Sequence, residues 1–212
     1  MSRTVQPHGQ IDPYDYYRAS QSGSRAEQAF HRARLRLIER AAEAAGRSVL
    51  DIGCGTGCLA VPLAKRAART VGIDLSAEHV AMLRDYALES GVSVEGVVGS
   101  GAELPFPDDS FEVVLLASVV HLVPEPGPLL REAERVCRPD GRLVVAGPWR
   151  WHPKASKTVK RLLGKTVETT TFPFTVERIQ GGLLRSRMIE RLVDRPMGYV
   201  ATVWVPERKP GT

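Results

Sequence analysis

The chain has 212 residues, 43% of them hydrophobic, with 29 Lys/Arg against 24 Asp/Glu. That length builds a full α/β core as one domain (1–212) without help from disulfides or metals. Its three cysteines form no C-x-x-C pair, no apolar run reaches the ~18 residues of a membrane span, and the first residues lack the apolar core of a signal peptide. A disulfide scaffold and a membrane protein are thereby excluded as expectations, and a reduced, cytoplasmic setting is expected.

Charge divides unevenly: residues 1–149 carry a net −3 and residues 150–212 a net +8. The basic half reads either as a solvated, arginine-rich surface or as a face for an anionic partner.

In chain order, residues 1–46 form an N-terminal arm and a helix. Residues 1–24 are polar and carry Tyr14, Tyr16 and Tyr17, as an arm or lid would. Over 25–46, Phe30, Ala33, Leu37, Ala41 and Ala44 share one helical face, and Gly46 is placed to end the helix. The core follows over 48–147. Ser48–Gly57 is a short apolar run with Asp51 in it, then Gly53, Gly55 and Gly57 in a loop. Such a run reads as a buried parallel strand, and glycines at a strand-to-helix turn let a ligand approach the main chain. The amide rim of the helix after the loop is expected to add positive potential. Leu59–Arg69 reads as a helix, Thr70–Asp74 as a second strand, and Ala77–Ser90 as a helix capped by Ser76 with Val80, Leu83, Ala87 and Leu88 inward. Val92–Gly99 and Ser110–Ala117 read as strands, Pro128–Cys137 as a helix, and Arg142–Gly147 as a fifth strand. In the last segment (148–212), Lys154–Gly164 and Thr175–Arg185 read as helices and Met188–Val193 with Tyr199–Val205 as an edge hairpin. Alternating strands and helices imply a doubly wound, mostly parallel α/β sheet.

The loop spacing is G-x-G-x-G rather than the G-x-G-x-x-G of dinucleotide folds, and Asp51 beside it would repel a pyrophosphate but favour a cationic group. Asp74 ends the next strand 17 residues after Gly57, where a ribose-binding carboxylate belongs. On these motifs the chain resembles the class I S-adenosylmethionine-dependent methyltransferases, and more narrowly the type 11 methyltransferase domain of their small-molecule branch. Ala117–Val123 and Arg138–Val145 continue the resemblance through residue 147.

The resemblance implies a Rossmann-like, seven-stranded sheet ending in an antiparallel strand pair, and S-adenosylmethionine as cofactor. It implies cofactor contacts from Asp51, Gly53, Cys54, Gly55, Gly57, Asp74, Leu75, Ser100, Gly101, Ala117 and a tyrosine of the arm, taken as Tyr17. Ser100 stands where the family usually has an aspartate for the adenine amino group. The acceptor is expected to be a small molecule, with nucleic acid disfavoured: the base-amino methylating motif is absent, and Ala117-Ser118-Val119-Val120 stands in its place. His121 is the candidate general base, or else it only shapes the pocket. His31 and His152 are weaker candidates, and Trp149 and Trp151 form either an acceptor wall or packing. No metal is expected. Cys54 and Cys58 near His121 read as small packing residues, because structural zinc sites want paired spacings.

Overall fold

Side chains alternate along the central strands toward two opposite layers. The computed structural model describes residues 25–148, 174–194 and 199–207. Its elements are α1 (Arg25–Ala42), β1 (Ser48–Ile52), α2 (Ala60–Ala64), β2 (Arg69–Asp74), α3 (Ala77–Glu89), β3 (Glu95–Val98) and β4 (Phe111–Ala117). A 3-10 turn (Val120–Leu122), α4 (Gly127–Val136), β5 (Cys137–Pro148), α5 (Val176–Gln180), β6 (Ser186–Asp194) and β7 (Tyr199–Pro206) follow.

The strands form one seven-stranded sheet in the order β3-β2-β1-β4-β5-β7-β6. Pairs from β3 through β5 are parallel, and β7 runs antiparallel to both β5 and β6. The expected Rossmann-like sheet with a terminal antiparallel pair is what the chain forms. Leu50, Ile52, Val71, Ile73, Leu116 and Val145 pack with Leu130 and Ala133 of α4 on one face. Val49, Val113, Leu115 and Val144 pack with Ile38 and Ala41 of α1 on the other. Each fully buried side chain of this size contributes about 1.5–3 kcal/mol. Strand order reverses between β1 and β4, and it is beyond the carboxyl ends of the strands at such a switch point that open α/β sheets bind ligands.

Several expected boundaries move. Of the expected α1 face, Ala41 and, beyond the helix end, Ala44 are buried, whereas Phe30, Ala33 and Leu37 are only half-buried and Arg34, Ile38 and Ala42 take the inward positions instead. The helix ends at Ala42 rather than running to Gly46, which instead takes a left-handed turn (φ 70°) and donates to the Arg66 carbonyl. The helix after the glycine loop has only five residues, because Leu59 is still in a turn and the chain leaves helix at Lys65. Leu88 is 81% exposed, against the expected inward position, while Val80, Leu83 and Ala87 are buried. β3 is shorter than expected and β5 longer, starting at Cys137 through a bulge opposite Phe111–Val113. The helix expected over Thr175–Arg185 is the short α5, and Thr175 does cap it, its side chain accepting from the Arg178 amide. Among the described residues no helix is long and apolar enough to cross a membrane. The arm with Tyr14, Tyr16 and Tyr17, the segment with Trp149, Trp151, His152 and the helix Lys154–Gly164 lie outside the described residues.

Candidate active site

The glycine loop after β1 is shaped by backbone angles that side chains rarely adopt. Gly53, Gly55 and Gly57 have φ of 69°, 53° and 83°. At Gly53 a Cβ would also lie 2.5 Å from Val119 Cγ2, so that glycine lets the loop sit against the segment after β4. The amides of Gly53 and Cys54 both donate to the Ile73 carbonyl, at 2.8 and 3.1 Å, tying the loop to β2.

Asp74, at the end of β2, closes that tie from the other side. Its Oδ2 accepts from the Gly55 amide at 2.9 Å, and its Oδ1 accepts from the Ser76 amide at 3.0 Å. His79 Nδ1 lies 3.1 Å from the same Oδ1. Partial burial works to raise this carboxyl, but the bonds from His79, Ser76 and Gly55 outweigh it and hold the group below its ordinary value. Asp74 is therefore an anion that braces the loop at the carboxyl end of β2. Leu75 beside it is 77% exposed and Val98 at the end of β3 is 51% exposed, an apolar ledge suited to a flat ligand.

Asp51 points to the α1 side of the sheet, as period-two alternation with Val49 requires, and is 2% exposed. Burial pushes its carboxyl up to about 7; the Arg34 guanidinium opposes the rise and the Asp74 charge adds to it. Arg34 is the residue that sequence reasoning missed. It is 8% exposed in α1, with its guanidinium 5.7 Å from the Tyr199 ring centroid, and its charge acts on Asp51, Cys58 and His121. The available signal was its place four residues before Ile38, on the face that Ala41 and Ala42 continue.

His121 lies in the 3-10 turn beyond β4. Arg178 of α5 fixes that turn by donating to the carbonyls of Val120 at 3.0 Å, Pro124 at 2.8 Å and also Val123. Burial, then the positive charges of Arg34 and Arg178, push the His121 imidazole down to about 4. Its Nδ1 is buried with no hydrogen-bond partner among the described residues. Between Ala117 and this turn, Ser118 adopts φ 65°, and its hydroxyl is 2.7 Å from the Tyr199 hydroxyl. A strained residue of this kind persists where its surroundings over-determine it, commonly at ligand sites.

The other expected residues divide. Gly101 follows β3, but a Cβ there would lie 2.6 Å from both Ile52 and Leu129, so packing alone demands glycine. Ser100 already accepts the Ala102 amide at 3.2 Å. Cys54 packs with Ala60 and Leu83, its thiol pushed up by burial, which leaves only its backbone for a ligand. No cluster of three metal-ligating side chains occurs among the described residues. A cleft of about 590 Å³ lined by Arg47, Asp109, Glu112 and Arg138 lies at the opposite, amino-terminal ends of the strands. Its charges are spent internally, Glu112 on Ser48 and Arg138, so the switch point at the carboxyl ends is the better candidate.

Comparison with known proteins agrees with this geometry. The methyltransferase domain family matches residues 50–145. A ubiquinone biosynthesis O-methyltransferase of Azorhizobium caulinodans is 38% identical over 101 residues, 48% of this chain and 40% of that protein. The chain spans less than half the length of the curated relatives it matches. In fold, it is similar to a protein from Pyrococcus horikoshii OT3 (TM-score 0.74, 19% identity, 93% of this chain and 100% of that one). It is also similar to magnesium protoporphyrin IX methyltransferase from Synechocystis PCC 6803 with bound SAH (TM-score 0.67, 16% identity, 92% and 94%). With its glycine loop and acidic strand ends, the stretch over residues 50–145 is similar to the methyltransferase domain family.

Proposed function

We propose that this protein transfers the methyl group of S-adenosylmethionine to a small organic acceptor held at the β1–β4 switch point. The observation that carries the reading is the convergence there of Asp51, the glycine loop, Asp74 and the His121 turn, with Arg34 sensed by both Asp51 and His121. When bound, the cofactor supplies an electrophilic methyl on a sulfonium, so little is asked of the protein beyond alignment and exclusion of water. Asp51 receives the cationic amino group of the methionine end, and Asp74 accepts from the ribose. The Leu75 ledge supports the adenine, with Ser100 a weaker polar partner than a carboxylate would be.

The neutral imidazole of His121 offers Nε2 to the acceptor, since Nδ1 is buried. At a value near 4 it is a weak proton acceptor, which suits it to orienting an acceptor hydrogen more than to removing it. Curated relatives that match include O-methyltransferases of ubiquinone biosynthesis, which supports an acceptor oxygen on a small molecule. A radiolabelled methyl-transfer screen over metabolite and RNA pools tests the reading. Label in a small organic product is the expected result, and label confined to RNA would overturn it. Trapping of label by neither pool, with no calorimetric binding of S-adenosylhomocysteine, would remove the enzymatic reading altogether.

A further inference from the structure

His79 touches the site only through Asp74, its ring folding back from the first turn of α3 onto that carboxylate. An ionised carboxylate only accepts, with about four acceptor positions. Because Asp74 is held as an anion, the proton in the contact must sit on His79 Nδ1. Oδ1 is then filled by the Ser76 amide and His79, while Oδ2 takes, among the described residues, the Gly55 amide alone. One acceptor position of Asp74 remains, on Oδ2, and its direction depends on the carboxylate not rotating about its own bond. Two main-chain amides grip one oxygen each, and His79 supplies the second grip on Oδ1.

We propose that His79 is a positioning residue for cofactor recognition: it locks the Asp74 carboxylate so that the open position of Oδ2 faces the ribose hydroxyls. This rests on the cofactor site proposed above and deepens it. The contact is local and separable from folding. The His79 backbone amide, which donates to Ser76 Oγ at 3.2 Å, caps α3 whatever side chain follows it. The ring itself is partly exposed, with a side-chain accessibility of 21%. An apolar residue there removes the grip and leaves the cap.

The test is calorimetric titration of the full chain with S-adenosylhomocysteine and with its 2′,3′-dideoxy analogue, in wild type, His79→Leu and His79→Asn. The asparagine amide stands in for the Nδ1 donor. Wild type should prefer the ribose form by about tenfold or more, the worth of a hydrogen bond to a charged group. In His79→Leu that preference should fall to about threefold or less with dideoxy binding nearly unchanged, and His79→Asn should restore it. Equal weakening of both ligands in His79→Leu would mean a structural role and would overturn the proposal. So would an unchanged preference, or a failure of asparagine to restore it. If the wild type binds neither ligand, the cofactor site itself fails and the proposal falls with it, an outcome distinct from a loss of discrimination.

Discussion

Asp51 and His121 are two buried groups whose titrations oppose each other. The folded Asp51 carboxyl sits near 7 against an ordinary 3.8, so between those values the folded chain holds more protons than the unfolded one. Stability from this group therefore falls as pH rises from about 4 to 7 and stays lost above. His121 sits near 4 against 6.5, so the folded chain holds fewer protons there, and its contribution rises with pH across nearly the same window. The two trends offset in the wild type, and only variants separate them. Asp51→Asn should melt higher than wild type at pH 8, by about 2 °C or more, with the gain shrinking toward pH 4. The same variant should lose about tenfold or more in S-adenosylhomocysteine affinity, because the methionine ammonium loses its counter-charge. Thermal denaturation and calorimetry across pH check both halves, and an Asp51→Asn melting point below wild type at pH 8 would reject the buried-charge account. For His121, replacement by alanine should lower turnover by about ten- to a hundredfold with cofactor affinity retained. At saturating S-adenosylmethionine, where the bound ammonium would keep Asp51 ionised, the wild-type rate profile should show no limb near pH 6.5, and a limb there that vanishes in His121→Ala would restore an ordinary, exposed imidazole base.

Between elements, the site is made by contacts that cross the β1–β4 switch. Gly53→Ala tests the closest of them. The substitution combines a left-handed backbone (φ 69°) with a Cβ 2.5 Å from Val119, so either the loop or the segment carrying His121 must shift. Backbone strain of this sort costs about 1–3 kcal/mol, and the expected outcome is a lowered melting point together with weakened S-adenosylhomocysteine binding. Unaltered affinity would show that the loop does not shape the cofactor site. The strands of the core and the glycine loop were legible in the sequence because they rest on local signals: apolar runs of strand length, glycines where φ must be positive, and acidic residues at strand ends, whereas the seven-stranded sheet with its terminal antiparallel pair came with the family resemblance. Helix limits were less legible. The Leu59 turn and the outward Leu88 are set by what packs above them, which periodicity does not encode. Arg34 was hidden for the same reason. An arginine on a helix reads as solvated until the Tyr199 ring and the Asp51 carboxylate, distant in sequence, are seen beside it. The Asp74 brace was half visible: the carboxylate by position, its partners Gly55 and His79 only by folding.

At the scale of the whole molecule, the basic second half raises the question of whether phosphates are its partners. The net +8 of residues 150–212 would fit a nucleic-acid face if its cations were displayed to solvent. Two of the arginines described there, Arg178 and Arg185, are engaged inside the protein instead, while Arg187 pairs with Glu207 at the surface. Arg178 is spent on the carbonyls of the His121 turn. Arg185 reaches the Glu134 carbonyl at 2.9 Å and Asp109 at 3.3 Å, and Arg187 lies 3.5 Å from Glu207. Glu134, 3% exposed, in turn accepts from the amides of Leu184 and Arg185 and from Ser186 Oγ, which pins the start of β6 to α4. Among the described residues, Arg178 and Arg185 thus hold the His121 turn and the sheet edge in place rather than standing open to a polyanion. Binding to tRNA or duplex DNA should therefore be weak at near-physiological salt, with a shallow salt dependence. A chain tracking six to ten phosphates would lose about 10³–10⁵ in affinity between ~50 and ~200 mM salt, so fluorescence anisotropy over that range separates the two cases. Arg178→Gln sharpens the test. It should leave nucleic-acid affinity as it was while loosening the turn that holds His121, lowering methyl transfer to the small acceptor. A steep salt slope that Arg178→Gln flattens would assign these arginines to a phosphate backbone and the acceptor to nucleic acid.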